Sequence, residues 1–251
     1  MVSRVAVVGA NGRMGRLAVG LVEREPDLAL HAAIGSQDDP ERMAGADLVL
    51  DLTVPQVSPG VVDRALEHGI PALVGTSGWS AERLAGLERR IPEGLGVIVI
   101  PNFSVGSVLA TRFAAEAARY FESIEIVEAH HAGKVDSPSG TAVRTAELMA
   151  AARGELGPVD APHSDQRARG QQVASIPIHS LRLRGVQARQ DVHFGGEGEV
   201  LTLTHETLSP SSYEAGILLG LRSLPAARGL TVGLGALLDA AAAQAPGAAS
   251  S

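Results

Sequence analysis

Between residues 4 and 100 the chain repeats one pattern: a short apolar run, then a stretch in which apolar residues recur every three or four positions. Strands are predicted over 4–8, 28–34, 48–52, 70–74 and 97–100, and helices over 12–24, 57–68 and 81–90. In the last of these helices Ser80 is placed to cap the first turn, and Leu84, Leu87 and Ile91 follow at helical spacing. Short apolar strands that alternate with amphipathic helices can bury both their faces only as a parallel sheet wound with helices.

After Pro101 the pattern changes. A helix over 105–120, a strand over 124–129 and a helix over 141–152 are predicted, then a polar stretch at 154–172 with several Pro and Gly that reads as a long connection. The runs at 176–183, 188–194 and 200–205 alternate as half-buried strands do, with short glycine-containing links, and are expected to form an antiparallel meander. A helix over 212–224 has no partner in that sheet and is expected to return to the first domain. The predicted architecture is therefore α/β: a Rossmann-like parallel-sheet domain from 1–101 and 211–240, and an α+β domain with a mostly antiparallel sheet from 102–210. The Ala-, Gly- and Ser-rich residues 241–251 are expected to be a disordered tail.

Bulk composition narrows the partners. With 21 basic against 28 acidic residues the formal charge is −7, and no basic run offers a surface for nucleic acid or an anionic membrane. The absence of cysteine removes disulfides, thiolate metal sites and a thiol nucleophile. Asn11, Arg13 and Arg16 interrupt the first apolar stretch too early for a signal peptide, and nothing approaches the roughly 18 apolar residues of a membrane span. A cytoplasmic location is expected.

The first strand runs directly into Gly9-Ala-Asn11-Gly12-Arg13-Met14-Gly15, which opens the first helix. Glycines there allow a sharp turn and let a pyrophosphate approach the positive helix end, so these residues are the predicted dinucleotide cradle. The same pattern is also compatible with a plain tight turn. A ribose-reading acid would be expected at the end of the second strand, but that segment is Ile34-Gly35-Ser36-Gln37. Without a carboxylate to repel a 2′-phosphate, and with Ser36 able to donate to one, NADPH is favoured over NADH; Asp38 and Asp39 argue the other way if the strand runs longer. Thr53, after the third strand, and Gly75-Thr76-Ser77, after the fourth, are placed at the strand ends where ligands bind, although each segment alone is ordinary turn chemistry.

The run Glu-Ala-His130-His131-Ala-Gly-Lys134-Val-Asp-Ser-Pro-Ser139-Gly140-Thr141-Ala ends one strand and opens a helix. It brings together an imidazole able to move a proton near neutral pH, a fixed cation and a helix start suited to a carboxylate. Each part alone also fits a solvated histidine pair or a simple cap. Paired histidines raise the question of a metal, but neighbours on a strand point to opposite faces and no acidic cluster is near, so no metal site is expected.

This run resembles the signature of the dihydrodipicolinate reductase family. Similar segments occur in the same order: VAVVGANGRMGR at 5–16, DLTVP at 51–55, VGTSGW at 74–79, PNFSVG at 101–106, HSLRLRG at 179–185 and HFGGEGEVLTLTH at 193–205. The resemblance covers about 5–239. It implies a homotetrameric NAD(P)H-dependent enzyme of lysine (diaminopimelate) biosynthesis that reduces a small cyclic dicarboxylate. On that resemblance His130 is the acid, Lys134 assists it and binds substrate, and His131, Ser139, Gly140 and Thr141 also hold substrate. Gly12, Arg13 and Met14 meet the pyrophosphate; Gly75, Thr76, Ser77, Asn102 and Phe103 lie by the nicotinamide. The chain departs from the family pattern at Ala132-Gly133, Arg189 and Pro210, where a basic residue or histidine, a histidine and an arginine are common. A reductase of drifted imine or keto-acid specificity and a non-catalytic dinucleotide sensor are the alternatives.

Overall fold

The computed structural model describes residues 2–244. Its two compact units are the chain up to Val105 together with everything described from Pro210 on, and Gly106–Ser209.

The first unit is built on β1 (Ser3–Val8), α1 (Arg13–Arg24), β2 (Leu28–Ile34), β3 (Leu48–Asp51), α2 (Ser58–Glu67), β4 (Ala72–Val74), α3 (Ala81–Glu88) and β5 (Gly96–Val99). All its strand pairs are parallel, and in the sheet β2 lies on one side of β1 while β3, β4 and β5 follow on the other. Strands buried on both faces need uninterrupted apolar sequence. Val5, Ala6, Val7, Val49, Leu50, Leu73, Val97 and Ile98 meet that need without solvent exposure. The chain reverses its direction of travel across the sheet between β1 and β3, so a crevice opens at their carboxyl ends.

β4 is shorter than the apolar run suggests. Pro71 has no N–H for the ladder, and Ile70 is used to close α2, its N–H bonding to the Ala65 carbonyl.

The second unit contains α4 (Val105–Ala117), which begins one residue before the boundary, β6 (Ser123–His131), α5 (Gly140–Arg153), β7 (Gln171–Val173), β8 (Ile176–Leu183), β9 (Ala188–Gly196) and β10 (Glu199–Thr207). Its strands lie in the order β10-β9-β6-β8-β7. The expected meander of the last three runs is therefore wrong in one link. β9 and β10 form a hairpin, but β6 separates β9 from β8, antiparallel to the first and parallel to the second. The reason lies in β6: Ile124, Ile126 and Glu128 are all buried, so this strand has to be paired along both edges. Leu183 pairs with His131 and Ala188 with His130, so residues 184–187 cross the end of β6 that carries the histidines. The end of the supposed loop at 154–172 is also ordered, as the start of edge strand β7.

One face of this sheet is covered: Ile124, Ile126, Ile178, Val192 and Phe194 pack with Ala142, Ala146 and Met149 of α5 and Ala114 of α4. Arg153 is buried at the end of α5 and donates to the carbonyls of Ala118, Phe121 and Gly157, capping the exit of α4 with a charge.

The chain then re-enters the first unit through α6 (Glu214–Ser223), β11 (Gly229–Val232) and α7 (Leu234–Gln244). β11 extends the parallel sheet beside β5. It was not anticipated, because four partly exposed residues after a helix give too short a pattern. α7 also corrects the expected tail at its start: 241–244 are helical, and 245–251 lie outside the described residues.

Arg153→Met removes a buried charge-assisted cap from several carbonyls and is expected to cost about 2–4 kcal/mol in urea unfolding at neutral pH.

Candidate active site

In the first unit the predicted cofactor residues all follow the carboxyl ends of strands. Gly9 follows β1 with φ +85°, and a Cβ there would lie 2.5 Å from the Leu52 carbonyl oxygen, so the turn beside β3 admits only glycine. Gly15 sits in the first turn of α1, where a Cβ would be 2.1 Å from the Gly9 carbonyl oxygen. Gly12 is the N-cap of α1 and has no side chain to cap it, so the first N–H groups of the helix, those of Arg13, Met14 and Gly15, face the ligand side of the turn. Arg16 folds back onto the Asn11 carbonyl. Asn11 packs closely on Gly35, its amide nitrogen within 2.1 Å of where a Cβ would stand.

β2 ends at Ile34, so no acid stands at the strand end. Asp38 turns back to accept the Gly35 N–H at 2.7 Å and pairs with Arg42 at 3.1 Å. Asp39 caps the next turn by accepting the Glu41 N–H. Ser36 and Gln37 are exposed.

Behind the remaining strand ends lies a polar cluster that the sequence did not disclose. Asp51, the last residue of β3, has no solvent exposure and accepts from the Thr53 N–H at 2.9 Å, the Thr53 hydroxyl at 2.6 Å and the Ser58 hydroxyl. Ser58 in turn accepts from Trp79 Nε1 at 3.1 Å. Burial pushes the Asp51 carboxyl above the ordinary aspartate range, against the pull of the Ser58 and Thr53 hydrogen bonds. Thr53, a predicted ligand residue, thus has its hydroxyl proton committed to Asp51. Gly75 packs against Leu52 and the ring of Phe103, where a Cβ would come within 2.4 Å of the ring. Phe103 is itself buried, a wall behind Gly75 rather than an exposed contact, while Ser77 is exposed and Asn102 accepts the Ser104 N–H. Thr76 is buried, and its hydrogen bond to Asp51 also pulls that carboxyl down. A cradle that a Cβ at Gly9 or Gly15 would fill fits a bound dinucleotide.

In the second unit the motif is built from one strand end and one helix start. Alternation along β6 puts Ile124, Ile126, Glu128 and His130 on one face and leaves His131 exposed on the other. His130 Nδ1 lies 2.6 Å from Glu128 Oε2. Glu128 has no exposure and is gripped by Arg182 of β8, Nη1 to Oε2 and Nη2 to Oε1 at 2.9 Å each. Burial alone would raise this carboxyl, but Arg182, Ser180 and His130 outweigh it and hold it below the usual glutamate range. Burial lowers the pKa of His130, the hydrogen bond and charge of Glu128 offset this only in part, and Lys134 and Arg182 add to the lowering.

Ser139 caps α5, its hydroxyl accepting the Ala142 N–H at 3.2 Å, and its own N–H donates to Glu128 at 3.1 Å. The N–H groups of Gly140 and Thr141 are left at the helix start. Lys134 Nζ pairs with Asp136 at 2.8 Å, and Lys134, followed by the Gly140 N–H, holds the Asp136 carboxyl below its ordinary range. The cation and the helix start assigned to a ligand carboxylate therefore already hold a carboxylate of the chain.

Glu128 and Arg182 are the residues that sequence reasoning passed over. The signal was present: an acid two residues before His130, in phase with two buried isoleucines, has to be inward and paired. Of the departures from the family pattern, Arg189 is on the opposite face of the sheet, paired with Asp191 and Glu206, and Pro210 opens the short turn before α6. Among the described residues no group of three or more His, Asp or Glu is placed to hold a metal ion.

A parallel sheet that presents a glycine cradle, in a chain whose second sheet presents an imidazole beside a lysine and a helix start, defines a nicotinamide-dependent reductase. The comparisons make the class specific. Residues 3–103 match the family described as dihydrodipicolinate reductase, N-terminus, and residues 106–238 its C-terminus. The chain is 64% identical over 241 residues to a 4-hydroxy-tetrahydrodipicolinate reductase of Clavibacter michiganensis subsp. michiganensis, covering 95% of this chain and 87% of that one. It is 50% identical to the protein of that name from Streptomyces griseus, covering 94% and 98%. Among solved structures it is similar to dipicolinate-bound dihydrodipicolinate reductase from Paenisporosarcina sp. TG-14, with TM-score 0.79 and 32% identity over 93% of this chain and 98% of that one. The chain belongs to the dihydrodipicolinate reductase family.

Asp51 supplies a test of this geometry. Because its folded pKa is raised, its contribution to stability is full below the ordinary aspartate range and is lost as pH rises through the raised value. Asp51→Asn is therefore expected to gain stability relative to the wild type as pH rises above the ordinary aspartate range, measured by urea unfolding at each pH.

Proposed function

We propose that this protein reduces 4-hydroxy-tetrahydrodipicolinate, or the dihydrodipicolinate formed from it by loss of water, to tetrahydrodipicolinate in lysine (diaminopimelate) biosynthesis. The observation that carries the reading is the Asp136 carboxylate held by Lys134 and the start of α5 beside a buried imidazole: the second unit has a carboxylate site and a proton donor in one loop. Reduced nicotinamide, when bound, supplies the hydride. His130 supplies the proton to the ring carbon beside the one reduced. Lys134 exchanges Asp136 for a substrate carboxylate, the N–H groups of Gly140 and Thr141 with the Ser139 cap hold it, and His131 is a further contact on the outer side of the strand end.

The lowered pKa of His130 leaves it neutral in the free enzyme near pH 7. A dianionic substrate favours the imidazolium, so binding is accompanied by proton uptake, and the proton taken up is the one delivered. Electrostatic capture and orientation, rather than covalent catalysis, carry the rate.

The cofactor residues in this reading are Gly9, Asn11, Gly12, Arg13, Met14 and Gly15 at the pyrophosphate, Ser36 at the ribose, and Thr53, Gly75, Thr76, Ser77, Asn102 and Phe103 toward the nicotinamide. NADPH is preferred to NADH, because Asp38 and Asp39 are both committed to their own turn and leave Ser36, Gln37 and Arg13 to meet a 2′-phosphate. The working form is a cytoplasmic homotetramer. In support, one face of the second sheet is left open with Leu181, Leu183 and Val200 exposed on it, and among the described residues no helix is long and apolar enough to cross a membrane.

Substrate made in situ from aspartate semialdehyde and pyruvate, followed by nicotinamide absorbance, tests the activity; no oxidation above background by folded enzyme would instead favour a reductase of another imine. His130→Gln and Lys134→Ala are expected to lower turnover about 100-fold or more with NADPH binding nearly unchanged. In the wild type kcat/KM is expected to fall as pH rises above the lowered His130 pKa, and His130→Gln to remove that limb. In parallel assays kcat/KM for NADPH should exceed that for NADH; the reverse order would remove the 2′-phosphate assignment.

A further inference from the structure

We infer that Glu128 is the positioning residue of the proton transfer: clamped by Arg182, it fixes His130 through Nδ1 and makes Nε2 the nitrogen that gives the proton to substrate. This rests on the reading of His130 as the proton donor.

A glutamate without solvent exposure is costly to keep, and a bidentate arginine alone would neutralise it. Glu128 does more than form that pair. Oε2 also meets His130 Nδ1 at 2.6 Å, and Oε1 also takes the Ser139 N–H at 3.1 Å. Arg182 extends the same clamp into the loop, donating to the Asp136 carbonyl at 2.5 Å. One buried carboxylate thus joins the imidazole, the anion-binding helix start and the neighbouring strand. The distances are set by the backbone, because Glu128 and His130 are two apart on β6 and the parallel register places Arg182 opposite His130.

The chemistry follows from what each atom can do. A carboxylate paired with arginine only accepts, so Nδ1 carries hydrogen in both protonation states of the ring. The imidazolium gives its Nε2 proton to the ring carbon and becomes the neutral Nδ1–H form. Solvent or the next substrate-binding event returns that proton to Nε2. Arg182 keeps Glu128 ionised, so the carboxylate supports the imidazolium without taking the proton itself. A purely structural Glu–Arg pair tying β6 to β8 would leave both the tautomer and the pH profile of turnover untouched when it is replaced.

The test uses the full chain, ring-labelled at histidine with 15N, with the His130 signal assigned by comparison with His130→Gln. Neutral His130 is expected as the Nδ1–H tautomer in the wild type; an Nε2–H tautomer would overturn the proposal. Glu128→Gln is expected to move the ring toward Nε2–H and to lower kcat about 10- to 100-fold, leaving the KM for NADPH within about twofold. It should also shift the alkaline limb of kcat down by about one pH unit. Since Glu128→Gln leaves Arg182 buried without its counter-charge, Glu128→Gln/Arg182→Met provides an uncharged pair of similar size. That variant should fold and show the same tautomer, turnover and pH changes, and wild-type turnover with an unmoved limb would mark the pair as structural only. If the wild type fails to reduce the substrate, the functional reading falls by itself, and the tautomer measurement still decides the role of Glu128.

Discussion

The neutralisation of Glu128 by Arg182 is the interaction on which the second unit depends. A carboxylate buried without a partner would cost several kcal/mol, enough to remove much of the stability of a domain this size. Its partner comes from β8, which runs parallel to β6 and directly beside it, with Arg182 opposite His130. The demand for a partner helps explain why the motif strand is in the middle of the sheet rather than at its edge. Once the pair is made, the remaining acceptor positions of the carboxylate take the imidazole and the helix start, so one ion pair ties both to the strand beside them.

The chain solves the same electrostatic problem twice. Its net charge is −7, yet both of its proposed ligands are anions. In the proposed reading a helix start takes the place of a basic surface for each, and the two starts differ. α1 begins at a glycine with no capping side chain and a backbone that admits close approach. α5 begins at a serine that satisfies one N–H itself, beside a carboxylate of the chain, Asp136, held by Lys134 and the Gly140 N–H. The open end suits an extended pyrophosphate, the partly capped end a small group that must be oriented.

Much of this was legible because the signals were local. Glycine spacing after a strand, an apolar run without interruption and a serine before a helical pattern depend on neighbours in the chain, and the strand ends, the cradle and the Ser139 cap follow from them. Other features needed non-local information. The three last strands of the second sheet were joined as a meander because they are consecutive, whereas β6 inserts between two of them. β11 is too short to carry a pattern and exists because β5 has a free edge to pair. The partners of Thr53 and Phe103 were equally illegible: the structure gives the hydroxyl of one to Asp51 and buries the ring of the other.

The sequence by itself determined the class of each unit and placed an imidazole, a lysine and a helix start in one segment, since periodicity, turn residues and side-chain chemistry are properties of short segments. Only the tertiary structure decided that Asp51 and Glu128 are buried, that Asp38 and Asp39 are committed to their own turn, and that His130 is held through one particular nitrogen. Burial and hydrogen-bond partnership are relations between residues distant in the chain, here Glu128 and Arg182, and such relations exist only once the strands that carry them are side by side.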